Sequence, residues 1–163
     1  VDLPPVIELR QSVFDFPENV HFLPSSAWDY QWIESIPKGR EILVLIEGLL
    51  IYFSEEEIRH LFKTVIDSLG AKQIVFDSAS KFILEFEKLR KLDVINWNNT
   101  PWKWGINDVT KLENWDTRLQ FDKNIYQTDY YGNRGPTMIK YLLKCNSTAR
   151  NIYRVSRFLV KQS

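Results

Sequence analysis

The run Arg40-Glu-Ile-Leu-Val-Leu-Ile-Glu-Gly-Leu-Leu-Ile-Tyr-Phe-Ser-Glu-Glu-Glu57 constrains the fold of this chain more than any other segment. Ile42 to Ile46 are all apolar and mostly branched, which predicts a strand covered by helices on both faces of a parallel sheet. Glu47 stands where that strand leaves the core, and Gly48 supplies the turn. Ser54 and Glu57 then form a capping box, with Glu55 and Glu56 at the positive end of a new helix. In open α/β sheets ligands bind outside the carboxyl ends of the strands, so Glu47 is a site candidate by position. A loop cap, or a partner for a nearby Arg, is the plainer alternative.

The rest of the chain repeats the same alternation. Pro5 in the first turn predicts a helix that ends at Phe14-Asp-Phe-Pro17. Val20 to Leu23 is expected as a short strand, and Ser25 or Ser26 as the N-cap of a short helix through Trp32. Ile58, Leu61, Phe62, Val65, Ile66 and Leu69 mark one buried helical face, stopped at Gly70. Gln73 to Phe76 follows as a buried strand ending on Asp77 and Ser78. A helix from about Ser80 to Leu92 should turn Phe82, Phe86 and Leu89 inward. Asp108 is expected to cap a short helix, Val109 to Asn114, before a strand over 119–128 with Phe121 and Ile125 inward. Thr137 to Lys144 reads as helix and Asn151 to Val160 as a last strand. The pattern predicts an α/β fold with a doubly wound, mostly parallel sheet and one domain over 1–163.

Bulk properties narrow the function. The 163 residues carry 21 Lys plus Arg against 21 Asp plus Glu, so no basic surplus is available for nucleic acid. No apolar run approaches the roughly 20 residues of a membrane span, and no signal peptide is visible, which makes a cytoplasmic protein the expectation. Cys145 is alone and His21 and His60 have no ligand-like spacing, so no metal site is expected. Residues 93–117 gather Trp97, Trp102, Trp104 and Trp115 into a Trp-rich insertion or lid. Trp102 and Trp104 could line a substrate pocket or form a satellite core beneath a long connection. The pair Tyr130-Tyr131 beside Gly132 poses the same choice.

Polar groups recur at the expected strand ends: Asp2, Ser26 to Asp29, Glu47, and Asp77-Ser78. Strand ends of a doubly wound sheet converge on one rim, where an acidic group can accept both hydroxyls of a ribose and a polar loop can meet an adenine edge. Any single Asp at such a place could equally be a helix cap.

With these segments in view, the chain resembles the leucine carboxyl methyltransferase family, in particular its bacterial branch of tetracenomycin-polyketide-type O-methyltransferases. The resemblance rests on Val1-Asp-Leu-Pro-Pro-Val-Ile7, Ser25-Ser-Ala-Trp-Asp-Tyr-Gln-Trp32, Ile46-Glu-Gly-Leu-Leu-Ile-Tyr-Phe-Ser-Glu-Glu-Glu57, Ile74-Val-Phe-Asp77 and Ile152-Tyr-Arg-Val-Ser-Arg-Phe158. It implies a class I methyltransferase sheet closed by an antiparallel C-terminal strand, S-adenosylmethionine as cofactor, and methyl transfer to a carboxylate or hydroxyl oxygen of a small molecule or peptide. It further implies that Asp2 holds the ribose hydroxyls, that Ser26 and Ala27 line the adenine with Asp29 nearby, and that Glu47 lies beside the methionine part, close to the acceptor. Tyr52 follows in the same loop, in either a site or a packing role.

The family's glycine-rich turn, where backbone approaches the cofactor closely, has no counterpart among Gly39, Gly48, Gly70, Gly105, Gly132 and Gly135. The expectation is therefore the C-terminal portion of a methyltransferase domain, lacking the N-terminal strand or strands and binding cofactor weakly by itself. An unfinished sheet edge of that kind invites self-association. A non-catalytic, methyltransferase-like interaction domain is the competing reading.

Overall fold

The computed structural model describes residues 1–90, 101–126 and 151–161, with side chains of 86–90 excluded. The expectations for Trp97, Phe86, Leu89, Tyr130-Tyr131, Cys145 and the 137–144 helix lie outside the described residues. The chain divides into two compact units, Val1–Arg40 and Glu41–Ser163.

In the first unit, helix α1 spans Pro4–Val13 with proline in its first turn, where the missing N–H costs nothing. Val20 to Leu23 does not form a ladder strand. The pairing there is one parallel bridge, Asp2 with Pro24, closed by Asp2 N–H to the Leu23 carbonyl at 3.3 Å and Ser25 N–H to the Asp2 carbonyl at 3.0 Å. Phe16 packs edge-on against Phe22 with ring centres 4.7 Å apart. The helix through Trp32 is a 3₁₀ segment, Tyr30–Ser35, and its N-cap is Asp29, which accepts from Gln31 N–H. Ser26 is displaced from that role because its hydroxyl oxygen already takes Trp28 N–H at 3.3 Å.

Among the described residues, the second unit holds a four-stranded sheet of order β1-β2-β4-β3. Strand β1 is Leu43–Ile46, β2 is Gln73–Ala79, β3 is Leu119–Tyr126 and β4 is Tyr153–Val160. β1 and β2 are parallel, in register from Leu43 with Gln73 to Ile46 with Phe76. β4 runs antiparallel between β2 and β3, so the last strand enters the sheet as the resemblance implied. Helix α2, Glu55–Asp67, makes the crossover from β1 to β2. Its capping box is complete, and Ile58, Leu61, Phe62, Val65 and Ile66 are buried. Burial of that face outweighs helix propensity as the reason α2 forms here. Phe62 meets Phe76 at 5.3 Å and Trp115 at 5.7 Å, while Phe76 stacks on Phe158 at 5.8 Å.

Four further expectations, all in this unit, need correcting. The run Ile42 to Ile46 is not covered on both faces: Leu43 and Leu45 are 58% and 66% exposed. Among the described strands β1 lies at an edge, with its Ile46 face packed, and an all-apolar run does not record how many faces are covered. β2 does not end before Asp77 but continues to Ala79, because β4 pairs with it as far as Tyr153 opposite Ala79. Phe82 of α3, Lys81–Arg90, is 52% exposed, and Leu84 is the buried residue of that turn. Ile125 is also exposed. A bulge between Phe121 and Lys123 sets Phe121 opposite Phe158 but Ile125 opposite Val155. The inserted Asp122 shifts the alternation by one residue and sends Ile125 to the other face.

Arg118 ties the start of β3 to the end of α2, donating to Asp67 at 2.6 Å and to Asp116 through Nε at 2.9 Å and Nη2 at 2.6 Å. These bonds hold the Asp116 carboxyl down to about 2, with Arg118 as the first cause. The folded value lies below the ordinary one, so the pair adds stability above about pH 4 and loses it as pH falls toward 2. Arg118→Gln is expected to lower stability at pH 7 by about 1 kcal/mol, or roughly 2–4 °C in thermal midpoint. The gap from wild type should close between pH 4 and pH 2 in paired melts; a gap that stays constant would exclude the pair as its source.

Candidate active site

In the second unit, four segments meet at the carboxyl ends of β1 and β2. β1 ends at Ile46, and Glu47 is exposed immediately beyond it. Gly48 takes φ +64°, in the left-handed region, and turns the chain into a short 3₁₀ segment, Leu50–Tyr52. Leu50 and Ile51 are buried there, while Tyr52 is half-buried. Apolar anchoring of Leu50 and Ile51 thus holds a loop whose first residue, Glu47, reaches solvent.

Asp77 stands near a strand end, as expected from sequence, and has a role there that the sequence does not reveal. It is 4% exposed, and both of its carboxylate oxygens lie 3.0 Å from Gly48 N. The Tyr153 hydroxyl donates to Oδ2 of the same carboxylate. Burial pushes the Asp77 carboxyl above its ordinary range, the Gly48 N–H pulls it back, and the charge of Glu47 adds to the upward push. The available signal was that Asp77 stands one register step beyond the last β1–β2 pair, just as Glu47 does. Pairing of β1 with β2 was needed to turn that signal into a contact.

The described end of the Trp-rich segment runs along this rim. Lys103 N–H and Trp104 N–H both donate to the Ile51 carbonyl, at 2.7 and 3.1 Å, and Ile106 N–H donates to the Ala79 carbonyl at 2.8 Å. A side chain on Gly105 would meet the Ser80 carbonyl oxygen at 3.0 Å, a tight contact that glycine avoids. Trp104 is 4% exposed and lies 6.4 Å from Trp115, which places its ring in the packed aromatic group with Phe62. Trp102 is half-buried. Arg154, 1% exposed, secures the segment by donating to the Ile106 carbonyl and to Asn151 Oδ1 at 3.3 Å. Burial lowers its pKa, partly offset by Tyr126 and Asp108.

In the first unit, the structure brings Asp2 and the Ser25–Asp29 turn together through the Asp2–Pro24 bridge. Asp2 Oδ1 accepts Leu3 N–H at 2.8 Å, and Oδ2 stands 3.9 Å from Arg10, with the Asp2 side chain 40% exposed. That leaves acceptor positions free for a pair of hydroxyls. The Ala27 carbonyl accepts from Trp32 Nε1 at 3.3 Å, and Asp29 is occupied as a helix cap. Ala27 therefore presents a small side chain on a turn held from behind. Among the described residues no group of His, Cys, Asp and Glu could hold a metal ion, and no helix is long and apolar enough to cross a membrane.

Added Cβ at Gly48 would touch nothing within 4 Å, so the need for glycine is conformational. Gly48→Ala is expected to cost about 1–2 kcal/mol in urea unfolding. A variant as stable as wild type would show that the turn is not held left-handed.

No family model matches the sequence. Over 123 residues, 76% of this chain, it is 28% identical to the tetracenomycin polyketide synthesis O-methyltransferase TcmP of Streptomyces glaucescens. The match covers 45% of that protein, so the chain spans less than half the length of the curated relative. Among solved structures, a DUF574 family protein from Streptomyces avermitilis superposes with a TM-score of 0.63 at 10% identity, covering 98% of this chain and 63% of that one. The second of these supports the α/β fold, and the first relates the sequence to an O-methyltransferase.

Proposed function

We propose that this chain is part of an S-adenosylmethionine-dependent O-methyltransferase that acts on a carboxylate or hydroxyl oxygen of a small molecule or peptide. The observation that carries the reading is the similarity to a polyketide O-methyltransferase over three quarters of the chain. The local geometry of each unit fits it. In the first, Asp2 keeps acceptor capacity for the ribose hydroxyls, and Ser26 and Ala27 form the turn beside it that would line the adenine. In the second, Glu47 is exposed at a strand end, beside the methionine part of the cofactor in this reading, with Tyr52 in the same loop.

When bound, S-adenosylmethionine supplies a methyl group already activated on a sulfonium. The protein's own residues then have two tasks, to align the acceptor oxygen and to exclude water. A carboxylate acceptor is ionised at neutral pH and needs no base, whereas a hydroxyl acceptor must lose a proton. Trp102, half-buried on the segment bonded to the Ile51 carbonyl, and Tyr52, half-buried in the neighbouring loop, are aromatic residues of this rim with surface left for an acceptor.

Calorimetric titration of the full translated gene product with S-adenosylmethionine tests the reading, together with transfer of its labelled methyl group. Saturable binding is expected. Asp2→Ala should weaken it by about tenfold or more, the size of a lost charge-assisted hydrogen bond. Glu47→Gln should lower transfer more than binding. The 163 residues alone should bind more weakly than the full product, since their sequence holds no glycine cluster of the kind that approaches the cofactor. Absence of saturable binding by the full product would end this reading in favour of a non-catalytic interaction domain.

A further inference from the structure

The ladder between β1 and β2 stops at Ile46 with Phe76, yet β2 continues to Ala79 with β4 beside it. At that step β1 departs from the sheet, and its next inward-turned donor, the Gly48 N–H, has no strand carbonyl to meet. The Asp77 carboxylate takes it instead, with both oxygens at 3.0 Å. Behind Asp77, the Tyr153 hydroxyl donates to Oδ2. Tyr153 is placed for this by register: Val155 is opposite Asp77 and Tyr153 opposite Ala79, so the two side chains are diagonal neighbours on one face.

This arrangement is an expensive way to hold a loop. A carboxylate that is 4% exposed forfeits most of its hydration, and two donors return only part of that. The like charge of Glu47 adds to the cost. A neutral side chain could have closed the same turn. What the carboxylate offers is direction, since a two-oxygen acceptor fixed by a second donor holds the Gly48 amide, and with it the exit angle of Glu47.

We propose that Asp77, backed by the Tyr153 hydroxyl, is a positioning residue for methyl transfer, fixing the Glu47–Gly48 turn through the Gly48 amide. The inference rests on the functional reading above, in which Glu47 stands close to the acceptor. Its effect should fall more on the rate of the chemical step than on cofactor affinity, because a displacement of about 1 Å near reacting groups can cost up to about a hundredfold in rate.

The test uses the full gene product with Asp77→Asn, Asp77→Leu or Tyr153→Phe. Three quantities are compared with wild type: amide hydrogen exchange of the peptide over 47–53, the S-adenosylmethionine Kd, and the single-turnover rate of methyl transfer. Asp77→Leu should speed exchange and lower the rate on the order of ten- to a hundredfold, with Kd within about twofold. Asn keeps one oxygen for the Gly48 N–H, and the Tyr153 hydroxyl can turn to accept from its amide, so Asp77→Asn should recover most of the loss. If Asp77→Leu does not fold, Tyr153→Phe decides: faster exchange and a slower rate at unchanged Kd support the proposal. Wild-type exchange and rate in Tyr153→Phe, or a rate loss in Asp77→Asn as large as in Asp77→Leu, would overturn it. Exchange needs no cofactor, so it still reports on the turn if the wild type binds none, the result that would instead end the functional reading.

Discussion

Phe76 is fully buried in β2, with Phe62 of α2 edge-on at 5.3 Å and Phe158 of β4 stacked at 5.8 Å. The contact joins the crossover helix, the parallel pair and the antiparallel return in one packed group. Phe121 extends it to β3, edge-on to Phe158 at 5.6 Å, and Trp115 extends it behind α2. Rings of this size dominate the apolar area a core removes from water, and their edge-on contacts add specificity of placement. The rim described above is a consequence. Only because Phe76 is locked in register with Ile46 do Asp77 and Glu47 emerge at the same end of the sheet.

The rim itself is polar, and it is organised by side chains that reach across strands. Asp77 takes a backbone donor from the neighbouring strand's exit, and Arg154 takes a backbone carbonyl from the Trp-rich segment. Both are ionisable, and both are almost wholly buried. Their pKa values move in opposite directions for one reason: burial penalises whichever form carries the charge. Around them, Gly105 permits contact with the Ser80 carbonyl and Trp104 fills the space beneath. The sites at which this rim departs from regular structure are also those at which the chain places ionisable groups and glycine.

Legibility in the sequence followed the range of the interactions concerned. The capping box at Ser54 and the buried face of α2 depend on residues within a few positions of one another, and both stand where periodicity and capping chemistry placed them. The 3₁₀ segment Val109–Asn114 with Asp108 as its cap is of the same kind. The Ser26 cap failed in favour of Asp29 because two hydroxyl or carboxylate oxygens competed for neighbouring amides, and composition does not rank such competitors. Ile125 failed because one inserted residue in β3 reverses the alternation on which an inward assignment depends. The ledge of Asp2 with Ser25 to Asp29 was legible only as a pair of strand ends; the bridge that joins them spans residues far apart in sequence.

The succession β1, α2, β2 and the placement of Glu47 at a strand end are local matters, set by hydrophobic spacing, capping and turn chemistry. The pairing of Asp77 with the Gly48 amide, the openness of Leu43 and Leu45, and the burial of Arg154 were decided by tertiary structure. Each depends on which strand lies beside which, and that is an outcome of packing distant segments together, where one register step changes every neighbour a side chain can touch.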